Sequence, residues 1–165
     1  MIMKRIGLLL ALMMTGAVYC SAQQLPSVQL KDINGKTVDT SKLSNDGKPF
    51  VISFFATWCK PCLRELEAIK EVYEEWQEET GVKLYAISID DAQNTLKVGP
   101  ESKAKGWEYE ILLDANSEFR RALGGNLIPA AFVVDGNGKI VHSRTGYTNG
   151  SEEQLIEEVR KLLDE

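Results

Sequence analysis

Pro49-Phe50-Val51-Ile52-Ser53-Phe54-Phe55-Ala56-Thr57-Trp58-Cys59-Lys60-Pro61-Cys62 decides the reading of this chain. Its first half is apolar on both faces, as an interior parallel strand must be. Its second half opens a helical pattern, so Cys59 falls near a helix N-terminus. Unpaired N–H groups and the helix dipole favour an anion there, and Lys60 adds a positive charge. A Cys59 thiolate is thereby stabilised and its pKa expected below the free value of about 8.5, which makes Cys59 the candidate nucleophile. Pro61 suits an early helical position, since its missing N–H is not needed and its φ is already helical. Cys62 then lies one turn in, placed to resolve a mixed disulfide. The competing readings are a structural disulfide and half of a zinc site. The chain has no second Cys pair and a single His, His142, against the four ligands of structural zinc. A lone pair in a strand-to-helix setting therefore reads as redox-active, and neither a metal nor another cofactor is expected.

The helix after Cys59, laid out at about 100° per residue, puts Cys62, Leu66, Ile69, Val72, Tyr73 and Trp76 on one face. Glu67, Glu71, Glu74, Glu75 and Glu78 fall opposite and read as a solvated face. Glu65 points between Val72 and Trp76, on the apolar side and one helical step from Cys62. An acid there is either desolvated, with its pKa raised, or bent out to water, and spacing alone does not choose.

At 165 residues and 44% hydrophobic content, the chain fits one domain with a sizeable core. Residues 1–22 read as a signal peptide and 23–165 as the domain. Lys4 and Arg5 precede an apolar run, Ile6 to Val18, that is too short to span a bilayer. Export is expected, to the periplasm or cell envelope. Cleavage after Ala22 removes Cys20 and leaves Cys59 and Cys62 as the entire thiol inventory. The rival is a lipid anchor at Cys20, which would tether the protein to the membrane, but Tyr19 is bulky where a small residue is needed. The formal charge is −5, and the first 22 residues carry only basic groups, so the mature chain is more acidic still. That balance argues against nucleic acid and anionic membranes as partners.

Outward from the central stretch, Val28 to Leu30 and Thr37-Val38 around Asn34-Gly35 predict an N-terminal hairpin. Gly81 ends the helix, and Lys83 to Ile89 predicts a second core strand. Thr95 to Gly106 predicts a helix interrupted at Gly99-Pro100. Glu110 to Leu113 predicts a short strand and Ser117 to Leu123 a short helix. Ile128-Pro129 leads into Ala130 to Asp135, and a proline directly before a strand is a candidate cis peptide, the sequence leaving the isomer open. Gly136 to Lys139 predicts a hairpin turn into Ile140 to Gly146, and Ser151 a cap for a final helix with a Leu155, Ile156, Val159, Leu162, Leu163 stripe. The order βαβ, β-hairpin, α gives an α/β mixed central sheet with helices on both faces.

With the Trp58 to Cys62 motif, Glu65, Ile128-Pro129, the Asp135 to Lys139 turn and the export signal together, the mature chain closely resembles the TlpA/ResA-like thioredoxin family of exported thiol-disulfide oxidoreductases. The resemblance implies a thioredoxin-like fold with an N-terminal β-hairpin extension and a central helical insert near Thr95 to Gly106. It implies that Cys59 and Cys62 form the redox-active disulfide, that Glu65 is the active-site glutamate, and that Pro129 is the cis-proline facing the cysteines. Trp58 and Ile128 join Pro129 as substrate-binding candidates, although Trp58 is read first as packing beside the pair. Two departures stand out. Glu67 occupies the place of a helix-kinking proline, so a straighter helix is expected, and Ser53 occupies that of a buried Asp, leaving Glu65 as the acid for proton work. The implied partners are protein disulfides of the envelope or apocytochrome c, with a membrane thiol-transfer protein as electron donor, and the expected state is a monomer. The alternatives are an oxidant or isomerase using the same pair, and a Sco-like copper-binding module using His142. The two-residue Cys spacer counts against copper, and a peroxidase is disfavoured because its lone Cys sits in a different Pro/Thr setting.

Overall fold

The computed structural model describes residues 23–164; the signal-peptide and Cys20 expectations lie outside them. One seven-stranded sheet runs β2-β1-β5-β4-β3-β6-β7, formed by β1 (Gln29–Asp32), β2 (Thr37–Asp39), β3 (Phe50–Phe55), β4 (Lys83–Ser88), β5 (Glu110–Leu113), β6 (Ala130–Val134) and β7 (Ile140–Thr145). β3 pairs in parallel with β4, and β4 with β5; every other pairing is antiparallel. The sheet is mixed, as expected, and the N-terminal hairpin extends it by docking β1 on β5. β3 is buried at every position, which its run of Phe, Val and Ile anticipates.

Side chains of β3 divide the interior in two. Val51 and Phe55 face a core built with Leu66, Ile69, Tyr73 and Trp76 of α1 (Lys60–Thr80) and with Leu155, Ile156 and Val159 of α4 (Glu153–Leu163). Phe50, Ile52 and Phe54 face a second core with Leu30, Leu43 and Phe119 of α3 (Glu118–Ala122). Helices thus cover both faces.

Three local expectations need correction. α2 (Thr95–Lys105) runs unbroken with Pro100 inside it. The backbone bond that Pro100 cannot make would go to Leu96, which is solvent-exposed, so no carbonyl is left dry. Val98 and Ser102 anchor the inner side of that helix. Ser151 does not cap α4; its hydroxyl accepts the Thr148 N–H, and the helix begins two residues later at Glu153. Glu67 leaves the solvated face and accepts hydrogen bonds from Trp107 Nε1 at 2.9 Å and Lys105 Nζ at 3.3 Å, satisfying a buried indole. α1 itself is continuous over its 21 residues and ends on Gly81 in the left-handed region.

The turn joining β6 to β7 is the predicted hairpin turn, held by Asp135 Oδ1 accepting the N–H groups of Asn137 and Lys139. Gly136 in this turn lies against the Gly47 carbonyl, where a Cβ would come within 1.9 Å of the oxygen. Any side chain there would force the loop before β3 away from the turn.

Candidate functional site

β3 ends at Phe55, and the chain then turns through Ala56-Thr57-Trp58 into α1 with Cys59 as its N-cap. Cys59 Sγ accepts the backbone N–H of Cys62 at 3.4 Å, so the sulfur occupies the position a capping oxygen would take. Cys59 and Cys62 are joined in a disulfide. Cys59 retains 6% exposure and Cys62 none, which orders them as outer and inner sulfur. Charge developing on Cys59 therefore meets a helix N-terminus, while charge on Cys62 has no solvent to meet.

The turn carrying these cysteines is tied down by a carboxylate that sequence reasoning passed over. Asp90, fully buried just beyond β4, accepts the Thr57 N–H at 2.9 Å, the Thr57 hydroxyl at 2.6 Å and the Ser88 hydroxyl at 2.8 Å. In the sequence it is only the first of two adjacent acids, Asp90-Asp91, at the end of the predicted Lys83 to Ile89 strand. Asp90→Ala leaves these donors without their acceptor, the Ser88 hydroxyl in a fully buried position and the Thr57 groups in a partly buried one, at about 1–3 kcal/mol for each buried partner lost. The expected result is a loss of about 3 kcal/mol, read as a fall in Tm of order 6–12 °C for a chain of this size. A melting temperature within a degree or two of the parent would mean that Asp90 does not hold the turn.

Glu65 lies on the apolar side of α1 and is fully buried, the first of the two outcomes the helix pattern left open. The Ser53 hydroxyl donates to its Oε2 at 3.4 Å, and Arg144 Nη2 donates to its Oε1. Burial pushes the Glu65 carboxyl up, and Arg144 and Ser53 pull it part of the way back; the loss of all solvent contact is the larger effect. The charge of Glu152 adds to the upward push. The result is a carboxylate that binds a proton more strongly than an exposed one, one turn below Cys62.

Arg144 is the site residue the sequence reading missed. Strand registers put Ser53 of β3 beside Ala131 of β6, and Ala131 beside Arg144 of β7. Ala131 is small, so the Arg144 side chain can cross over it to reach Glu65. One sequence signal was available: Ile140, His142 and Arg144 share a period of two, and these are the positions of β7 turned inward. A charged residue on the inward side of a strand asks for a partner.

The Ile128–Pro129 peptide is cis. One step beyond the Phe54–Ala130 pairing, the antiparallel register brings Pro129 alongside Phe55, at the end of β3 that leads to the cysteines. Ile128 is partly buried and packs against both cores. Trp58 is not packed away beside the pair: it is 64% exposed, because the turn before Cys59 projects it outward. Leu127, 68% exposed and not anticipated, stands directly before Ile128-Pro129. His142 sits half-buried in β7. Among the described residues no three His, Cys, Asp or Glu side chains cluster into a group able to hold a metal.

A family profile described as AhpC/TSA family matches residues 22–143. The chain belongs to this family. Within it, the curated relatives include the "Thiol-disulfide oxidoreductase ResA" of Geobacillus thermodenitrificans, 30% identical over 121 residues, 73% of this chain and 67% of the relative. The protein of the same name from Bacillus subtilis is 27% identical over 138 residues, covering 84% of this chain and 73% of the relative. Among solved structures, the chain is similar to an uncharacterized thioredoxin-like protein from Porphyromonas gingivalis, with 63% identity, a TM-score of 0.76, and coverage of 85% of this chain and 92% of that one. This AhpC/TSA family member therefore has the thioredoxin-like fold, and with its bonded Cys59–Cys62 pair it is a thiol-disulfide oxidoreductase.

Proposed function

We propose that the protein is exported and works as a reductant of protein disulfides in the periplasm or cell envelope. The observation that carries the reading is Cys59 as N-cap of α1, its sulfur accepting the Cys62 N–H, with the buried Glu65 one turn below. In the reduced enzyme, the Cys59 thiolate attacks one sulfur of a substrate disulfide. A Cys59–substrate bond forms, the substrate S–S bond breaks, and the departing thiolate takes a proton from solvent. Cys62 then gives its proton to the Glu65 carboxylate and attacks Cys59 Sγ. The Cys59–Cys62 bond forms as the second substrate thiolate leaves and is protonated. Two electrons have passed to the substrate, and the enzyme is left as its disulfide.

Returning to the dithiol needs two electrons from outside, for which we infer a membrane thiol-transfer protein. There a donor thiolate attacks Cys59, Cys62 leaves as thiolate and takes its proton back from Glu65; the second donor thiolate then attacks the donor sulfur of the mixed disulfide, Cys59 leaves as thiolate, and the donor is left as its own disulfide. Envelope-protein or apocytochrome c cysteines are the substrates this cycle would serve, with exposed Trp58 and the Ile128-Pro129 loop flanking the entry to Cys59. Residues 1–22 as a cleaved signal peptide, or Cys20 as a lipid anchor, would deliver the domain there. Mass spectrometry of the mature protein distinguishes the two.

The reduction potential of the Cys59/Cys62 couple tests the direction. Equilibration with glutathione or a thioredoxin standard should place it near or below thioredoxin's value of about −270 mV, whereas a value near −120 mV would assign the same pair to oxidation. Cu(I) titration of the reduced protein and a peroxide turnover assay, both expected to show no specific reaction, test the two remaining chemistries of a dithiol on this fold.

A further inference from the structure

We propose that Arg144 is a positioning residue for the proton step: it aims the Glu65 carboxylate at its place below Cys62 and holds it there as an anion able to accept the Cys62 proton. This rests on the dithiol cycle above. The guanidinium is fixed from both sides. Nη2 donates to Glu65 Oε1, and Nη1 donates to the Gly146 carbonyl at the end of β7. Gly146 also donates its N–H to the Pro129 carbonyl at 2.8 Å, and it does both from a backbone with φ +83°, a conformation that suits glycine. One residue therefore pins the Pro129 loop and the cation that faces Glu65. The Arg144 side chain is only 11% exposed, so its charge acts on Glu65 with little screening by water.

Two further observations extend this cluster toward the surface. Arg144 Nε and Glu152 Oε2 are both buried without a hydrogen-bond partner, the one a donor and the other an acceptor. Glu152, Tyr147 and Leu63 line an open groove between α1 and the segment before α4. Ser53 of β3 and Arg144 of β7 hydrogen-bond Glu65, and Tyr147 and Glu152 from the loop that follows β7 and Tyr109 from the segment before β5 are close enough for charge to couple them to it. Arg144 is the cation among them, and removing it leaves Glu65 with anionic or neutral neighbours alone.

The test uses the mature protein with Arg144→Met and Arg144→Lys. First, the Glu65 carboxyl is titrated by carbon NMR in the oxidised form, a readout that requires no substrate. In R144M the midpoint should rise by at least about one pH unit, equivalent to a tenfold change in proton affinity. R144K, which keeps the charge without the fork that reaches both Glu65 and Gly146, should fall between parent and R144M. Second, insulin reduction is followed against pH. R144M should lose about tenfold or more in rate at the acid end of the profile and recover toward the parent as pH rises, where Glu65 ionises without help. A unchanged Glu65 midpoint in R144M, or in R144K should R144M not fold, overturns the proposal, as does a rate lost equally at every pH. Parent protein that fails to reduce insulin at any pH while the Glu65 midpoint moves as expected would instead overturn the reductant reading and leave the Arg144–Glu65 coupling standing.

Discussion

Cys62→Ala is expected to turn the enzyme from a catalyst into a trap. The outer sulfur, Cys59, keeps its N-cap position and its access to solvent, so attack on a substrate disulfide proceeds. What disappears is the second step. Resolution by Cys62 is intramolecular, and effective concentrations for well-oriented groups reach about 10⁵ M or more, far above millimolar external thiol. Turnover of insulin should fall by at least about a thousandfold, while a covalent enzyme–substrate species accumulates to one equivalent. Non-reducing electrophoresis and intact mass decide it. The complementary Cys59→Ala variant should form no adduct, because Cys62 has no exposure. Adducts of equal yield from both variants would mean that the inner and outer assignment is wrong. Carried out in the envelope, the same Cys62→Ala experiment identifies the substrates.

Glu65→Gln is expected to produce two changes of opposite sign. Removing the carboxylate takes away a negative charge near the cysteines and leaves that of Arg144 uncompensated, so the Cys59 thiolate should form at lower pH. Reduction should nevertheless slow by about a hundredfold or more, since positioned general bases contribute about 10²–10⁴ and among the described residues no other buried carboxylate accepts from Ser53 and Arg144 together. Thiolate absorbance against pH and the insulin rate measure the two separately. If both stay at parental values, Glu65 is structural.

Stability gives the same variant a third readout, with a definite sign. An ordinary glutamate carboxyl titrates near 4.5, and burial raises that of Glu65 in the folded state. Above the unfolded value the native state holds more protons than the unfolded one, so stability falls with rising pH. The contribution of Glu65 is fully present below about pH 4.5 and is lost as pH rises through the raised folded value. Gln mimics the neutral acid and has no such dependence. Denaturation of the oxidised proteins should therefore show near-equal stability at acid pH and a difference that moves in favour of the variant toward neutrality. A difference moving the other way would mean that the pairing with Arg144 outweighs burial.

The fold was legible in the sequence wherever local pattern and tertiary environment agree. The apolar run before Trp58 has to be an interior strand, and the spacing from Cys62 to Trp76 has to be a helix face; both are realised in β3 and α1. Pro100 misled because helix interruption depends on which carbonyl loses its partner, and only the structure shows that Leu96 lies at the surface. The cysteines could be found because their chemistry follows from a spacing of three along one element. Glu65 could be placed on a side of the helix but not given a state, since burial against β3 is a tertiary fact. Arg144 could not be found by proximity at all: 79 residues separate it from Glu65, and the contact depends on β3, β6 and β7 aligning Ser53, Ala131 and Arg144 in one row. The same holds for Asp90, which reaches Thr57 across 33 residues.

The exposed Trp58 also bears on how the enzyme can be watched. The chain has three tryptophans. Trp76 is buried on α1, and Trp107 is packed edge-on against Phe55 with its indole N–H bonded to Glu67. Trp58 alone stands in water, one residue from a disulfide. A disulfide takes an electron from a neighbouring excited indole and darkens it, whereas a dithiol does so far less. Emission at the long wavelengths of a hydrated tryptophan should therefore brighten when the Cys59–Cys62 bond opens, against a steady blue-shifted background from the two interior rings. The molecule carries its own optical gauge of electron content, readable without a label during single turnovers.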